Sequence, residues 1–159
     1  MRAKNVSDFL KPKSDEEIDN SLLQLNQGQK NTELIIASVK GNIDIVKILI
    51  KNGADINAAS PTKETALMYA AMRGNKDVVE ILIKNGADIN IKDTHGNTAL
   101  IYAARNITRN NDDIVELLIK SGADVPDFNK VQKNWKKSTK YIELNNLFKK
   151  HYGNLPNNL

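Results

Sequence analysis

The sequence predicts an all-α solenoid, built from stacked helix-turn-helix repeats with short hairpin or turn links and closed by a helical cap at each end. Three observations lead there. A block of residues recurs with a spacing of 33, and a fixed period of this size marks a repeat architecture rather than a globule. Within each block the apolar residues fall at helical spacing. The composition is 40% apolar but only 5% aromatic and contains no cysteine. That leaves Ile, Leu, Val and Ala to fill the core and removes disulfides, thiol nucleophiles and thiolate metal sites from consideration.

The elements follow in chain order. Residues 1–30 read as an N-terminal tail and capping helix. Ser14 to Glu17 fits a capping box, Ile18, Leu22 and Leu25 share one face, and Gly28 is placed to end that helix. Residues 31–125 read as three repeats, at about 31–59, 60–92 and 93–125. The first block of each is NTELIIASVKG at 31–41, ETALMYAAMRG at 64–74 and NTALIYAAR at 97–105. Thr32, Thr65 and Thr98 have the short side-chain oxygen that caps a helix N-terminus. Leu67, Ala70 and Ala71 supply an apolar face, and Gly41 and Gly74 supply the left-handed residue that ends a helix. The second block is IDIVKILIKNGADIN at 43–57, with counterparts at 76–90 and 112–125. Here Val78, Val79, Ile81, Leu82 and Ile83 make a broad stripe, Asp44 and Asp77 favour the helix start, and Asp55, Asp88 and Asp124 recur where a turn needs a side-chain acceptor. Gly53 and Gly86 are 33 apart but Gly86 and Gly122 are 36 apart, so three extra residues lie within Asn106 to Asn111. Residues 126–159 read as a basic helical cap and tail, with Val131 and Trp135 in one helix and Tyr141, Leu144, Leu147 and Phe148 in another. A two-helix unit of this size cannot bury its own apolar stripe, so each must stack on its neighbours.

This pattern resembles the ankyrin repeat family, in the residues Thr65 to Ala70, Gly74-Asn75, Val78 to Leu82 and Gly86 to Asn90. The resemblance covers about residues 31 to 125. It departs from the family's T-P-L-H-x-A motif in every copy: Glu33, Ala66 and Ala99 stand for its Pro, and Ile35, Met68 and Ile101 for its His. Apolar packing is expected to replace the polar network of that His. The Asp-x-x-Gly hairpin turn survives only at Asp93 to Gly96, the second repeat has Ser60, Pro61, Thr62 and Lys63 there, and the first has no recognisable hairpin.

Catalytic equipment is scarce. The two histidines, His95 and His151, stand alone, and no phosphate loop, nucleophile elbow or paired metal-binding histidines occur. The acidic residues repeat from unit to unit instead of converging. We therefore expect a non-enzyme with no catalytic residues, no metal and no cofactor. What the resemblance implies is recognition of another macromolecule, most economically a protein, by hairpin tips and the inner-helix ends on the concave side. Carried over by position, the tips are Pro61, Thr62, Glu64, Thr94, His95 and Asn97, and the helix ends are Val39, Lys40, Met72, Arg73, Arg105 and Asn106.

The net charge of +4 is unevenly held: residues 1–125 have 16 Lys or Arg against 17 Asp or Glu, whereas residues 126–159 have seven against two. Lys133, Trp135, Lys136, Lys137 and Lys140 therefore offer a rival reading, nucleic-acid or acidic-partner binding through phosphate contacts and stacking. An effector acting on host proteins is another. No run reaches the roughly 18 apolar residues of a membrane span, and no apolar core follows Arg2 and Lys4 as a secretory signal requires. A cytoplasmic protein with no membrane contact is expected, monomeric by default.

Overall fold

The computed structural model describes residues 21–105 and 111–124. Those residues form the end of a helix at 21–23 and six further helices: α1 (Gln27–Lys40), α2 (Ile43–Lys51), α3 (Ala66–Arg73), α4 (Lys76–Lys84), α5 (Ala99–Arg105) and α6 (Asp112–Lys120). Among the described residues there is no strand, only one isolated antiparallel bridge between Ala59 and Thr65. The expected all-α repeat solenoid is what forms. The first helices α1, α3 and α5 pack in one row and the second helices α2, α4 and α6 in another, each pair closing a repeat.

The two rows differ because their side chains do. Ala66, Ala70 and Ala71 of α3 and Ala99 and Ala103 of α5 are all buried. Side chains this small let successive first helices approach closely. The second helices, which approach one another less closely, bury branched residues instead: Val46 and Leu49, Val78 and Leu82, and Ile114, Val115 and Leu118 in turn. Burying one such side chain is worth about 1.5–3 kcal/mol, and a single continuous core from Leu22 to Ala123 collects these terms across all three repeats.

Helix ends are set by short polar side chains and glycine. Thr65 caps α3 by accepting from the Met68 amide at 3.3 Å, as expected. The other two threonines do otherwise. Asn26 starts α1 with a capping box, accepting from the Gln29 amide at 2.9 Å while its own amide donates to Gln29 Oε1 at 3.0 Å. The helix therefore begins five residues ahead of Thr32, whose hydroxyl donates to the Gly28 carbonyl. Gly28, expected to end a preceding helix, lies within α1. The hydroxyl of Thr98 is buried and makes no hydrogen bond. Gly41 ends α1 at φ 72° and is needed twice over, since a Cβ there would meet Asn75 Oδ1 at 2.9 Å.

Asn75 explains that crowding. Its Nδ2 donates to the Ser38 carbonyl at 2.7 Å and lies 3.2 Å from that of Val39, so it binds the end of the preceding first helix instead of capping α4. Asn111 does the same one repeat later, donating to Ala71 O at 3.1 Å. Asn111 is thus the register partner of Asn75, and the three extra residues precede it. A second ladder runs along the loops after the second helices. Asn57 Oδ1 accepts from the Asp88 amide at 2.8 Å and Asn90 Oδ1 from the Asp124 amide at 2.7 Å. The first repeat has no predecessor to supply such a residue, and α1 supplies it: Asn31 Oδ1 accepts from the Asp55 amide at 2.8 Å while Gln27 Nε2 donates to the Gly53 carbonyl at 2.9 Å. The early start of α1 lets one helix complete the ladder.

Of the expected N-terminal cap, Leu22 is buried and Leu25 packs on the core, whereas its capping box at residues 14–17 lies outside the described residues. The whole 126–159 cap lies outside them too.

Candidate protein-binding surface

The hairpin of the third repeat is organised by one carboxylate. Asp93 is buried, and its Oδ1 accepts from the amides of His95 and Asn97, both at 2.8 Å. Its Oδ2 accepts from Asn97 Nδ2 at 3.0 Å and from the Tyr102 hydroxyl of α5 at 2.6 Å. Gly96 closes the turn at φ 78°, donating to the Asp93 carbonyl. Burial by itself would push the Asp93 carboxyl up, but the hydrogen bonds from Tyr102, from the Asn97 side chain and backbone, and from the His95 amide outweigh it and hold the pKa at about 2. The Tyr102 phenol moves the other way, raised by burial and by its bond to Asp93.

The second repeat builds the same hairpin without Asp or Gly. Ser60 takes the Asp93 position, its Oγ accepting from the Glu64 amide at 3.2 Å, and the amide of Lys63 closes the turn on the Ser60 carbonyl at 2.8 Å. Lys63 does so at φ 64°, a conformation that strains an L side chain. The carboxylate arrives from the far side: Glu64 Oε2 accepts from Thr62 Oγ1 at 2.6 Å, Ser60 Oγ at 3.0 Å and the Tyr69 hydroxyl of α3 at 2.9 Å. These bonds, led by Thr62 and opposed by burial, lower the Glu64 pKa. Burial and the bond to Glu64 raise that of Tyr69.

The two tips are joined. The Thr94 amide donates to the Thr62 carbonyl at 3.1 Å, and Glu64 Oε1 lies 3.3 Å from the Tyr102 hydroxyl. Each tyrosine therefore ties a first helix to its hairpin, and Tyr102 reaches the neighbouring hairpin as well.

Matched against known families, residues 34–129 fit the model of ankyrin repeats in three copies. The chain belongs to the ankyrin repeat family. No curated protein matches it. Ankyrin repeats are in general protein–protein interaction modules, and the family is typically a non-catalytic scaffold. In this ankyrin protein no group of three His, Asp or Glu side chains among the described residues is placed to hold a metal ion. Nor is any helix among them long and apolar enough to cross a membrane.

The residues carried over by motif position divide into three sets. Pro61, Thr62, Thr94 and His95 stand exposed on two adjoining tips. Lys40, Arg73 and Arg105 are exposed where α1, α3 and α5 end, beside the half-buried Val39 and Met72. Glu64 and Asn97 turn inward: the first accepts from three hydroxyls, and the second is buried with its amide groups on Asp93. Asn106 and the lysine-rich Lys133, Trp135, Lys136, Lys137 and Lys140 lie outside the described residues. Sequence reasoning missed the Tyr–carboxylate links. Their only trace was the 33-residue spacing of Tyr69 and Tyr102, which fitted shared packing equally well.

Proposed function

We propose that this ankyrin protein is a non-catalytic scaffold that recognises a protein partner with its hairpin tips and the ends of its first helices. The observation that carries the reading is the joined pair of tips: their backbones are fixed by Asp93 and Ser60 and tied to the first helices through Asp93, Glu64 and the two tyrosines, while Pro61, Thr62, Thr94 and His95 are exposed. A surface already ordered loses little entropy on association. Within it, Lys40, Arg73 and Arg105 set charge at the helix ends, and Val39 and Met72 offer apolar contact that an adaptable thioether suits.

The test compares the full chain with the Thr94→Arg, His95→Glu double variant as baits in extract of the native cells. We expect a partner retained by the parent chain and lost by the variant, with helicity and melting unchanged. A partner held equally by both would overturn the site, and reproducible small-molecule turnover would overturn the scaffold reading.

A further inference from the structure

The charges of the described residues are sorted by element. The stretches holding hairpins and first helices are 27–42, 59–75 and 91–105. Each carries two cations against one carboxylate, for a total of +3. The stretches holding second helices and the loops after them are 43–58, 76–90 and 111–124, and they carry 0, −1 and −3, for a total of −4. Exposure sharpens the contrast. The carboxylates of the first set are Glu33 and Asp93, both buried, and the half-buried Glu64. The six exposed acidic residues among those described, Asp77, Asp113 and Asp124 among them, all belong to the second set.

The helix dipole does not account for this sorting. It favours a cation at any helix C-terminus, and α1 to α6 all end in Lys or Arg. What differs is the acidic content: on the second-helix side carboxylates outnumber cations, and some sit directly on lysines, Lys76 meeting Asp113 at 2.9 Å, Lys120 meeting Glu116 at 2.6 Å and Lys84 meeting Glu80 at 3.6 Å. On the first-helix side, Lys40 and Arg73 share one register position, and Arg105 ends the third first helix. Lys63 closes the turn before α3 and Lys92 directly precedes the turn before α5, at the opposite ends of those helices. An eight-residue helix is about 12 Å long, so these cations border a strip of the first-helix side of about that width, with the half-buried Val39 and Met72 at its helix-end edge beside Lys40 and Arg73.

We propose that this strip takes an acidic polypeptide segment, one carrying Asp or Glu with interspersed apolar side chains. The inference rests on the protein-binding reading above and gives the partner's chemistry. Charge complementarity selects such a partner and speeds its encounter. A nucleic acid fits less well, because it rewards dense cations and exposed aromatic faces. Here five cations are spread over three repeats, and both tyrosine hydroxyls hold carboxylates.

The experiment measures binding of a fluorescent peptide of about 20 residues rich in Glu and Leu to the full chain at about 50 mM salt, where surface charges are weakly screened. One variant reverses the strip (Lys40→Glu, Arg73→Glu, Arg105→Glu). A second makes the same charge change on the other side (Lys47→Glu, Lys51→Glu, Lys84→Glu). A third neutralises the strip with Gln and serves if the first fails to fold. We expect the strip reversal to weaken binding about tenfold or more, the Gln variant about threefold, and the opposite-side variant less than about twofold. Absence of binding, equal losses in both reversals, or tighter binding of single-stranded DNA of the same charge would overturn the proposal. Equal losses would also place the attraction in net charge or in the lysines after residue 126. A partner retained from native cells by the parent chain in spite of such a result would leave the scaffold reading intact and remove only its acidic chemistry.

Discussion

The second and third hairpins have the same shape and opposite chemistry. In the third, a buried aspartate holds its own turn and receives a tyrosine, and glycine relieves the left-handed position. In the second, a serine makes one weaker turn bond, a lysine takes the left-handed position under strain, and a glutamate from the end of the turn meets the tyrosine. One fold position can thus be satisfied from either side of the hairpin. The residues that hold the tips and those that face solvent must be told apart by geometry, because both vary between repeats.

The largest difference should appear when the organising groups are truncated. Asp93→Ala strands the His95 and Asn97 amides and the Tyr102 hydroxyl, and is expected to cost about 2–4 kcal/mol in denaturant unfolding. Ser60→Ala removes the 3.2 Å bond from the Glu64 amide and the 3.0 Å bond to its carboxylate, both at a half-buried site, and is expected to cost about 1 kcal/mol. Equal costs would break the contrast.

Acid should separate the repeats next. The Asp93 carboxyl titrates near 3.8 unfolded and at about 2 folded, so its charged form favours the fold. That contribution, about 2 kcal/mol, is complete above about pH 4 and is lost as pH falls toward 2. Asp93→Asn should lack this part of the pH dependence of unfolding, and an unchanged acid slope would contradict the geometry.

Backbone strain gives a smaller, signed effect. Lys63→Gly should stabilise the chain by about 0.5–1 kcal/mol, whereas Gly96→Ala should destabilise it by about 1 kcal/mol. The smallest effect concerns the capping threonines. Thr65→Val should cost about 1 kcal/mol through its lost cap, while Thr98→Val, which removes a buried hydroxyl without a partner, should be neutral or slightly stabilising. Both can be read from thermal unfolding, and a cost at Thr98 equal to that at Thr65 would mean that Thr98 caps its helix after all.

The repeat, its register and most helix ends were legible in the sequence because they depend on local rules: period, apolar spacing, and a glycine where the chain turns left-handed. The Asx turns at Asp55 and Asp88 were legible for the same reason, since each bonds an amide two residues on. What was not legible depends on contacts between units. Asn31 and Gln27 complete a ladder that other repeats build from Asn57 and Asn90, yet neither shares their register. Tyr102 finds Asp93 nine residues back and Glu64 thirty-eight back, and no periodicity announces such a meeting. The extension of α1 was legible in principle, because Asn26 and Gln29 form a capping pair, but Gly28 between them reads as a stop. Of the candidate surface, the exposed tips could be placed by motif position. The inward turn of Glu64 and Asn97 could not, since it rests on where the tyrosines of α3 and α5 point.

The most direct test of the scaffold reading is amide hydrogen exchange on the full chain, with and without the partner captured from native cells. Slowed exchange at residues 60–64 and 93–97 and at the ends of α1 and α3, with α2, α4 and α6 unchanged, is the predicted result. Protection confined to the second helices would contradict it.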